Sequence, residues 1–133
     1  MDIRIYYEDT DWGGVVYYEN YLKYFERART HYLEERGVSV AGLREQGTQF
    51  VVVHAELDYR SPARYGDTLI VETNLAAVGQ ASITFAHVLR ERKSGRLVVE
   101  GSAKLVTVDD QLKVTRLDKL TLAALQGPPQ TRS

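Results

Sequence analysis

Residues 7–37 read YEDTDWGGVVYYENYLKYFERARTHYLEERG, and two patterns meet inside them. From Glu8 to Gly14 the chain mixes acids, a Thr and two glycines, which predicts a structured loop. Further on, Tyr21, Tyr24, Phe25, Ala28, Tyr32 and Leu33 recur at three- and four-residue steps, the spacing of one broad helical face. Lys23, Glu26, Arg27, Glu34, Glu35 and Arg36 supply the polar side. The spacing predicts a helix over 20–36, either capped by Asn20 or starting nearer Tyr17, and Gly37 suits the left-handed position after its end.

Away from the helix the period changes. Residues 2–7 alternate Ile3 and Ile5 with Asp2 and Arg4, as a half-buried strand does. After a short helical stretch at 39–46, strands are expected at 50–59, 68–78, 81–91 and 97–108. Turns at Gly79-Gln80 and at 93–96 make their neighbours antiparallel. The strand at 50–59 opens with a continuous run of valines, which predicts burial on both faces. A modest helix is expected at 117–125, and residues 127–133, opening Gly-Pro-Pro, read as a flexible tail. The fold class is therefore α+β, one domain over 1–126. A five-stranded antiparallel sheet needs its apolar face covered, and only the helix at 20–36 is long enough to be wrapped by it.

Composition narrows the function. Seventeen Lys and Arg face eighteen Asp and Glu, so no general attraction to nucleic acid is expected, and any anionic ligand needs a local basic cluster. The absence of cysteine excludes disulfides, Cys-based zinc sites and thiol nucleophiles. No apolar run approaches the length of a membrane span, and Asp2, Arg4 and Glu8 stand where a signal peptide would be apolar, so the expected location is cytoplasmic. His31, His54 and His87 are too scattered for a metal site, and no metal or redox cofactor is expected. Ser82 and Ser102 fall in strands without a Gly-x-Ser-x-Gly setting.

The chemistry concentrates in the loop before the helix. Glycines let backbone approach a ligand closely. The first amides of a helix lack partners inside it and carry the positive end of its dipole. Together they offer a seat for a carbonyl oxygen that turns negative during acyl transfer. A carboxylate held nearby can deprotonate water or attack the carbonyl itself. Spacing does not choose between Asp9 and Asp11, and loop carboxylates are more often turn formers or caps.

The residues Tyr7, Asp9, Thr10, Asp11, Gly13 to Tyr17, Asn20, Tyr21 and Phe25 to Arg29 resemble the signature of the 4-hydroxybenzoyl-CoA thioesterase family of hotdog proteins. They are most similar to its Tol-Pal-associated acyl-CoA thioesterases. A second block, Tyr59 to Asp67, resembles the family's segment between the second and third strands, and the resemblance covers roughly residues 2 to 120. It implies the hotdog fold and hydrolysis of an acyl-CoA or acyl-carrier-protein thioester to a free acid. Asp11 would act as nucleophile or general base, and the backbone amide of Tyr18 would polarise the carbonyl. Gly13, Gly14, Val15 and Tyr17 would shape the substrate site, with Arg60, Arg64 and Arg116 as candidate anchors for the nucleotide. Coenzyme A enters only as part of the substrate, so no cofactor is implied. The family's dimers join edge to edge, here along the strand at 50–59, and often pair into a homotetramer. The chain departs from the pattern at Tyr18, where Tol-Pal-associated members usually carry His and the 4-hydroxybenzoyl-CoA enzyme carries Tyr. It also has Val78-Gly79-Gln80 where that enzyme has basic residues. Two rival readings are a non-catalytic hotdog that binds acyl thioesters or a protein partner, and a dehydratase. The latter needs a His beside a carboxylate, and the loop has none.

Overall fold

Short turns and period-two strands assemble into one antiparallel sheet. The computed structural model describes residues 1–11 and 13–130. Its strands are β1 (Asp2–Arg4), β2 (Gln49–Tyr59), β3 (Thr68–Val78), β4 (Ser82–Glu91) and β5 (Leu97–Val108), in the order β1-β3-β4-β5-β2. The turns after Val78 and Glu91 set β3, β4 and β5 side by side, with Leu69 opposite Glu91 and Leu89 opposite Val99. β2 crosses to the far side and pairs with β5, Phe50 opposite Thr107 and Tyr59 opposite Val99. Its other edge has no strand partner among the described residues.

Helix α1 (Tyr18–Glu35) covers one face of the sheet, as the periodicity requires. Tyr21, Tyr24, Phe25 and Ala28 pack with Leu69, Val71, Leu89, Val98 and Val99. Tyr32 and Leu33 join Phe85, Leu105 and Leu125 in a second cluster. The helix ends as Gly37 predicts: Gly37 has φ +76°, its N–H donates to the Glu34 carbonyl (3.0 Å), and Val38 N–H donates to the Leu33 carbonyl (2.9 Å). That is the Schellman arrangement, which satisfies carbonyls the helix leaves free. Two short helices complete the fold, α2 (Val40–Glu45) and α3 (Lys119–Gln126), capped by the side chains of Ser39 and Asp118. No described helix is long and apolar enough to cross a membrane.

The five-stranded sheet around a long helix is the expected hotdog architecture, with corrections. α1 starts at Tyr18, so Asn20 lies inside the helix and is not its cap. The first strand ends at Arg4 and a 3₁₀ turn (Tyr7–Asp9) follows. The valine run of β2 is not buried on both faces: Val52 and Val53 are 45% and 53% exposed, because β2 is an edge strand with an irregular register between Val52 and His54. Residues 127–130 of the expected tail lie against the end of α1. Arg36 Nε donates to the Gly127 carbonyl (3.0 Å), and Gln130 N–H donates to the Glu35 carbonyl (2.7 Å). The last three residues of that expected tail lie outside the described residues.

Gly101 sets how closely α1 approaches the sheet. A Cβ there would sit 2.8 Å from Phe25 Cε2 and 2.8 Å from the Glu56 carbonyl oxygen, distances that neither a packed ring nor a strand backbone can yield. Beside it, the His87 ring stacks on Phe25 at 4.6 Å and is only 1% exposed. An Arg29 guanidinium nitrogen lies 3.5 Å from His87 Nε2, and Thr73 Oγ1 lies 3.1 Å from Nδ1. A guanidinium only donates, so Nε2 accepts and the ring proton sits on Nδ1, donating to Thr73. Burial first, then the Arg29 charge, pushes the His87 pKa down to about 3.

Two predictions follow from this packing. Gly101→Ala is expected to cost about 1–3 kcal/mol by overpacking, read as a lower urea midpoint with the slope unchanged. His87 stays neutral in the folded chain while its unfolded counterpart protonates below about 6.5, so its share of stability is intact above that pH and drains away as pH falls towards 3. Between roughly pH 7.5 and 5, wild type is expected to lose about 2 kcal/mol more than His87→Gln, measured by urea unfolding at both pH values.

Candidate active site

The loop between β1 and α1 is a hydrogen-bonded turn. Thr10 pairs with Val16, Asp11 N–H donates to the Val15 carbonyl (2.9 Å), and Gly14 N–H returns to the Asp11 carbonyl (3.0 Å). Gly14 closes that turn at φ +72°, a conformation a side chain would oppose. The Asp9 carbonyl ties the loop to the helix start by accepting from Tyr17 N–H (3.1 Å) and Asn20 Nδ2 (3.1 Å). A second tie runs to the segment after β2: Val16 N–H donates to the Ala63 carbonyl (2.9 Å), Tyr65 N–H to the Gly14 carbonyl (3.1 Å), and Ala63 N–H to the Tyr21 hydroxyl (3.2 Å). Asp11 thus follows Thr10 of the Thr10–Val16 pair by one residue, and Tyr18 follows Val16 by two.

The two acids differ in their surroundings. Asp9 Oδ2 accepts from Tyr6 N–H (2.9 Å). Its charge also reaches the buried Tyr24 hydroxyl, which has no hydrogen bond of acceptable geometry among the described residues. Burial, and then Asp9, pushes the Tyr24 pKa well above its ordinary value, so that hydroxyl is fixed as a neutral donor facing a carboxylate. Asp11 is exposed. Its Oδ1 accepts from Gly13 N–H (2.9 Å) and Val15 N–H (3.3 Å), which fixes the carboxylate's direction. Its Oδ2 accepts no hydrogen bond among the described residues. Nearby, α1 opens without a side-chain cap, and the amides of Tyr18 and Glu19 donate to no acceptor among the described residues. A carboxylate oriented through one oxygen, on a loop tied to a helix start whose first amides have no acceptor among the described residues, is suited to moving a proton or attacking an acyl carbon whose oxygen rests on such amides.

Gly13, Gly14 and Val15 share the turn with Asp11, and Tyr17, which precedes Tyr18 at the helix start, is tied to the same loop through the Asp9 carbonyl. Arg64 joins them, since it pairs with Val15, and its guanidinium makes no hydrogen bond among the described residues. Arg60 is beside β2's end but forms an ion pair with Glu100 at 3.1 Å. Arg116 lies away from them. Thr115 N–H donates to the Thr107 carbonyl (2.9 Å) and Leu117 N–H to the Gln80 carbonyl (3.2 Å), which holds Arg116 at the opposite end of the sheet from the loop of its own chain. Arg96 holds the segment that the loop bonds to, donating to the Pro62 carbonyl (2.8 Å) and pairing with Asp67 (3.3 Å). His31 and His54 pair with Glu35 and Glu56 and do not reach the loop. Trp12, a candidate pocket wall by sequence, lies outside the described residues. No group of three or more potential metal ligands occurs among the described residues.

Sequence alone assigns most tyrosines to the core, yet several surround the loop. Tyr18 is 67% exposed and meets Tyr59 edge to face at 6.5 Å, and Tyr7 meets Tyr65 at 5.9 Å. Exposed aromatic area at a site's rim is surface that a ligand or a second chain covers.

A model of the thioesterase-like superfamily matches residues 6–125. The acyl-CoA thioesterase YbgC of Haemophilus influenzae is 41% identical over 108 residues, 80% of this chain and 78% of that protein. The acyl-CoA thioester hydrolase YbgC of Escherichia coli is 34% identical over 122 residues, covering 91% and 90%. Among solved structures, a 1,4-dihydroxy-2-naphthoyl-CoA thioesterase from Synechocystis superposes with TM-score 0.88 at 22% identity, over 95% of this chain and 93% of that one, a likeness of fold. A DHNA-CoA thioesterase from Staphylococcus aureus superposes with TM-score 0.87 at 27% identity, over 95% and 89%.

Proposed function

The chain belongs to the thioesterase-like superfamily, and from that premise we propose that it hydrolyses acyl-coenzyme A thioesters to a free acid and coenzyme A, with Asp11 as the catalytic carboxylate. The observation that supports the assignment is the state of that side chain: Oδ1 is held by the Gly13 and Val15 amides while Oδ2 accepts no hydrogen bond among the described residues, on a loop tied to a helix start whose first amides have no acceptor among those residues.

The thioester carbonyl oxygen rests on the Tyr18 amide, where charge developing during attack meets a fixed donor and the helix dipole. As general base, Oδ2 takes a proton from water, the hydroxide adds to the carbonyl carbon, and the carbon–sulfur bond breaks to release the coenzyme A thiolate. As nucleophile, Oδ2 itself adds and expels the thiolate, and water then hydrolyses the acyl anhydride. Both routes use the same two groups and call for no metal or redox cofactor. Arg64, unpaired beside the loop, is the anchor best placed for the coenzyme A phosphates, with Arg60 shared between substrate and Glu100. A carrier-protein thioester presents the same reacting atoms. With such a substrate the protein works in the cytoplasm.

One chain leaves this site open to water. Tyr18 and Tyr59 are exposed, and the free edge of β2 begins beside them. Two copies joined along β2 satisfy that edge's backbone groups, cover Val52 and Val53, and enclose the loop, giving a homodimer that pairs further into a homotetramer.

Asp11→Asn is expected to fold normally and lose about 10²–10⁴-fold in turnover, measured by thiol release from short, long and aromatic acyl-CoAs. Asp9→Asn is expected to lower the unfolding midpoint as well, since its carboxylate orders the turn. Near wild-type turnover by folded Asp11→Asn would refute the assignment, and binding without turnover by wild type would favour the non-catalytic reading. Val53→Lys, which sets a charge on the β2 edge, is expected to yield monomers by sedimentation velocity and to lose activity with them.

A further inference from the structure

Tyr24 carries an oxygen that its packing does not need. The residue is 2% exposed, and its hydroxyl has no hydrogen-bond partner among the described residues. The ring itself is firmly held. Tyr21 meets it edge to face at 6.1 Å, and the Arg27 guanidinium lies over it at 5.9 Å. Ile3, Ile5 and Val16, which flank the loop on either side, belong to the same apolar cluster. A phenylalanine would supply all of that contact. Burying a hydroxyl without a partner costs about 1–3 kcal/mol, so stability does not account for the oxygen.

Helix geometry brings that oxygen towards Asp9. Asn20 donates through Nδ2 to the Asp9 carbonyl (3.1 Å), and Tyr24 stands one turn further along the same face of α1. Long side chains on a helix lean back towards its N-terminus, which carries the Tyr24 hydroxyl towards the residue that Asn20 holds. The charge that the hydroxyl feels agrees with this placement: after burial, Asp9 is the strongest influence keeping its proton on. Asp9 has an oxygen to offer in return. Its Oδ2 accepts from the Tyr6 amide (2.9 Å), and its Oδ1 accepts no hydrogen bond among the described residues. A buried donor without an acceptor thus faces a half-buried carboxylate with an oxygen unengaged. Asp9 is also where such a contact bears on the reaction. Its carboxylate closes the 3₁₀ turn onto Tyr6, its carbonyl holds Tyr17 and Asn20 at the helix start, and Asp11 follows it by two residues. A shift of Asp9 therefore moves the Asp11 carboxylate relative to the amides that open α1.

We propose that Tyr24 is a positioning residue for the hydrolytic site: its hydroxyl donates to the Asp9 carboxylate and so holds the loop that carries Asp11 in register with the start of α1. Because the ring is fixed, the carboxylate is the partner that turns to make the bond. The proposal rests on the hydrolase reading with Asp11 as its carboxylate. Tyr24→Phe removes the oxygen and nothing else. It is expected to fold, to lose about tenfold to a hundredfold in kcat for thiol release from an acyl-CoA that wild type hydrolyses, and to keep KM within about twofold, because no group that touches substrate has changed. In a double-mutant cycle, Tyr24→Phe is expected to lower kcat no further once Asp9→Asn is present, since the hydroxyl acts through that carboxylate. If Asp9→Asn does not fold, Asn20→Ala, which releases Asp9 from the helix, replaces it in the cycle, and losses that fall short of multiplying are expected. Unchanged kcat in Tyr24→Phe overturns the proposal. So do losses that multiply in the double variant, which place the effect of the hydroxyl elsewhere, and a Tyr24→Phe chain that does not fold, which makes its role structural. Failure of wild type to hydrolyse any acyl-CoA overturns the hydrolase reading and the proposal with it, a result distinct from the others because it precedes any substitution.

Discussion

The site depends on how α1 begins. A helix of eighteen residues buried along a sheet is stable enough to do without a side-chain cap, and this one has none. A Ser or Asp at position 17 would stabilise the terminus by about 1 kcal/mol and would occupy one of the amides there. Tyr17 does neither. The terminus is instead held from outside by the Asp9 carbonyl, which accepts from Tyr17 N–H and Asn20 Nδ2 and leaves the amides of Tyr18 and Glu19 to face the loop. The same carbonyl fixes the loop that carries Asp11. One backbone oxygen therefore sets the relation between a carboxylate and a pair of unpaired donors.

The rest of the fold keeps that relation rigid. Phe25 lies against Gly101 with no room for a methyl group between them, so α1 neither rises from the sheet nor rotates on it. Tyr21 reaches out of the same buried face to accept from Ala63 N–H, tying helix, loop and the strand crossover into one unit. Arg96 closes the unit from the other side through Pro62 and Asp67. Catalytic groups gain little from a flexible frame, because orientation within a few tenths of an ångström is what converts a nearby carboxylate into an effective one.

Local pattern makes the helix legible, because six apolar residues at helical spacing and a glycine at its end leave no other arrangement. It also separates the strands, whose turn residues are unambiguous. Three things lie beyond it. The valines of β2 look buried in sequence, yet Val52 and Val53 are exposed, because β2 lies at the edge of the sheet and local composition does not record strand order. Asp9 and Asp11 are equivalent by spacing and differ in their folded neighbours: Asp9 accepts from the Tyr6 amide and acts on the buried Tyr24 hydroxyl, while Asp11 accepts from the Gly13 and Val15 amides of its own turn. The contact between Arg29 and His87 spans 58 residues and has no local signature. The place of Arg116 is non-local in the same way: Gln80 and Thr107 hold its neighbours at the end of the sheet away from the loop of its own chain.

The near-zero net charge hides an uneven distribution of cations. Arg60, Arg92 and Arg96 are matched with Glu100, Asp2 and Asp67, pairs that lie at the surface and contribute little to stability. Arg64 and Arg29 have no such match, and they sit at two different depths, one at the rim of the loop and one beneath the helix. A thioester of coenzyme A is an anionic nucleotide at one end and an acyl group at the other, with the reacting carbon between them. Exposed Arg64 meets multiply charged phosphates in solvent, where attraction guides approach and is screened by salt. Half-buried Arg29 stands in a drier setting, beside Glu26 and neutral His87, where a charge costs more to hold. Burial thus separates two cations of the same type: one is placed to meet a ligand from solvent, the other is held within the fold.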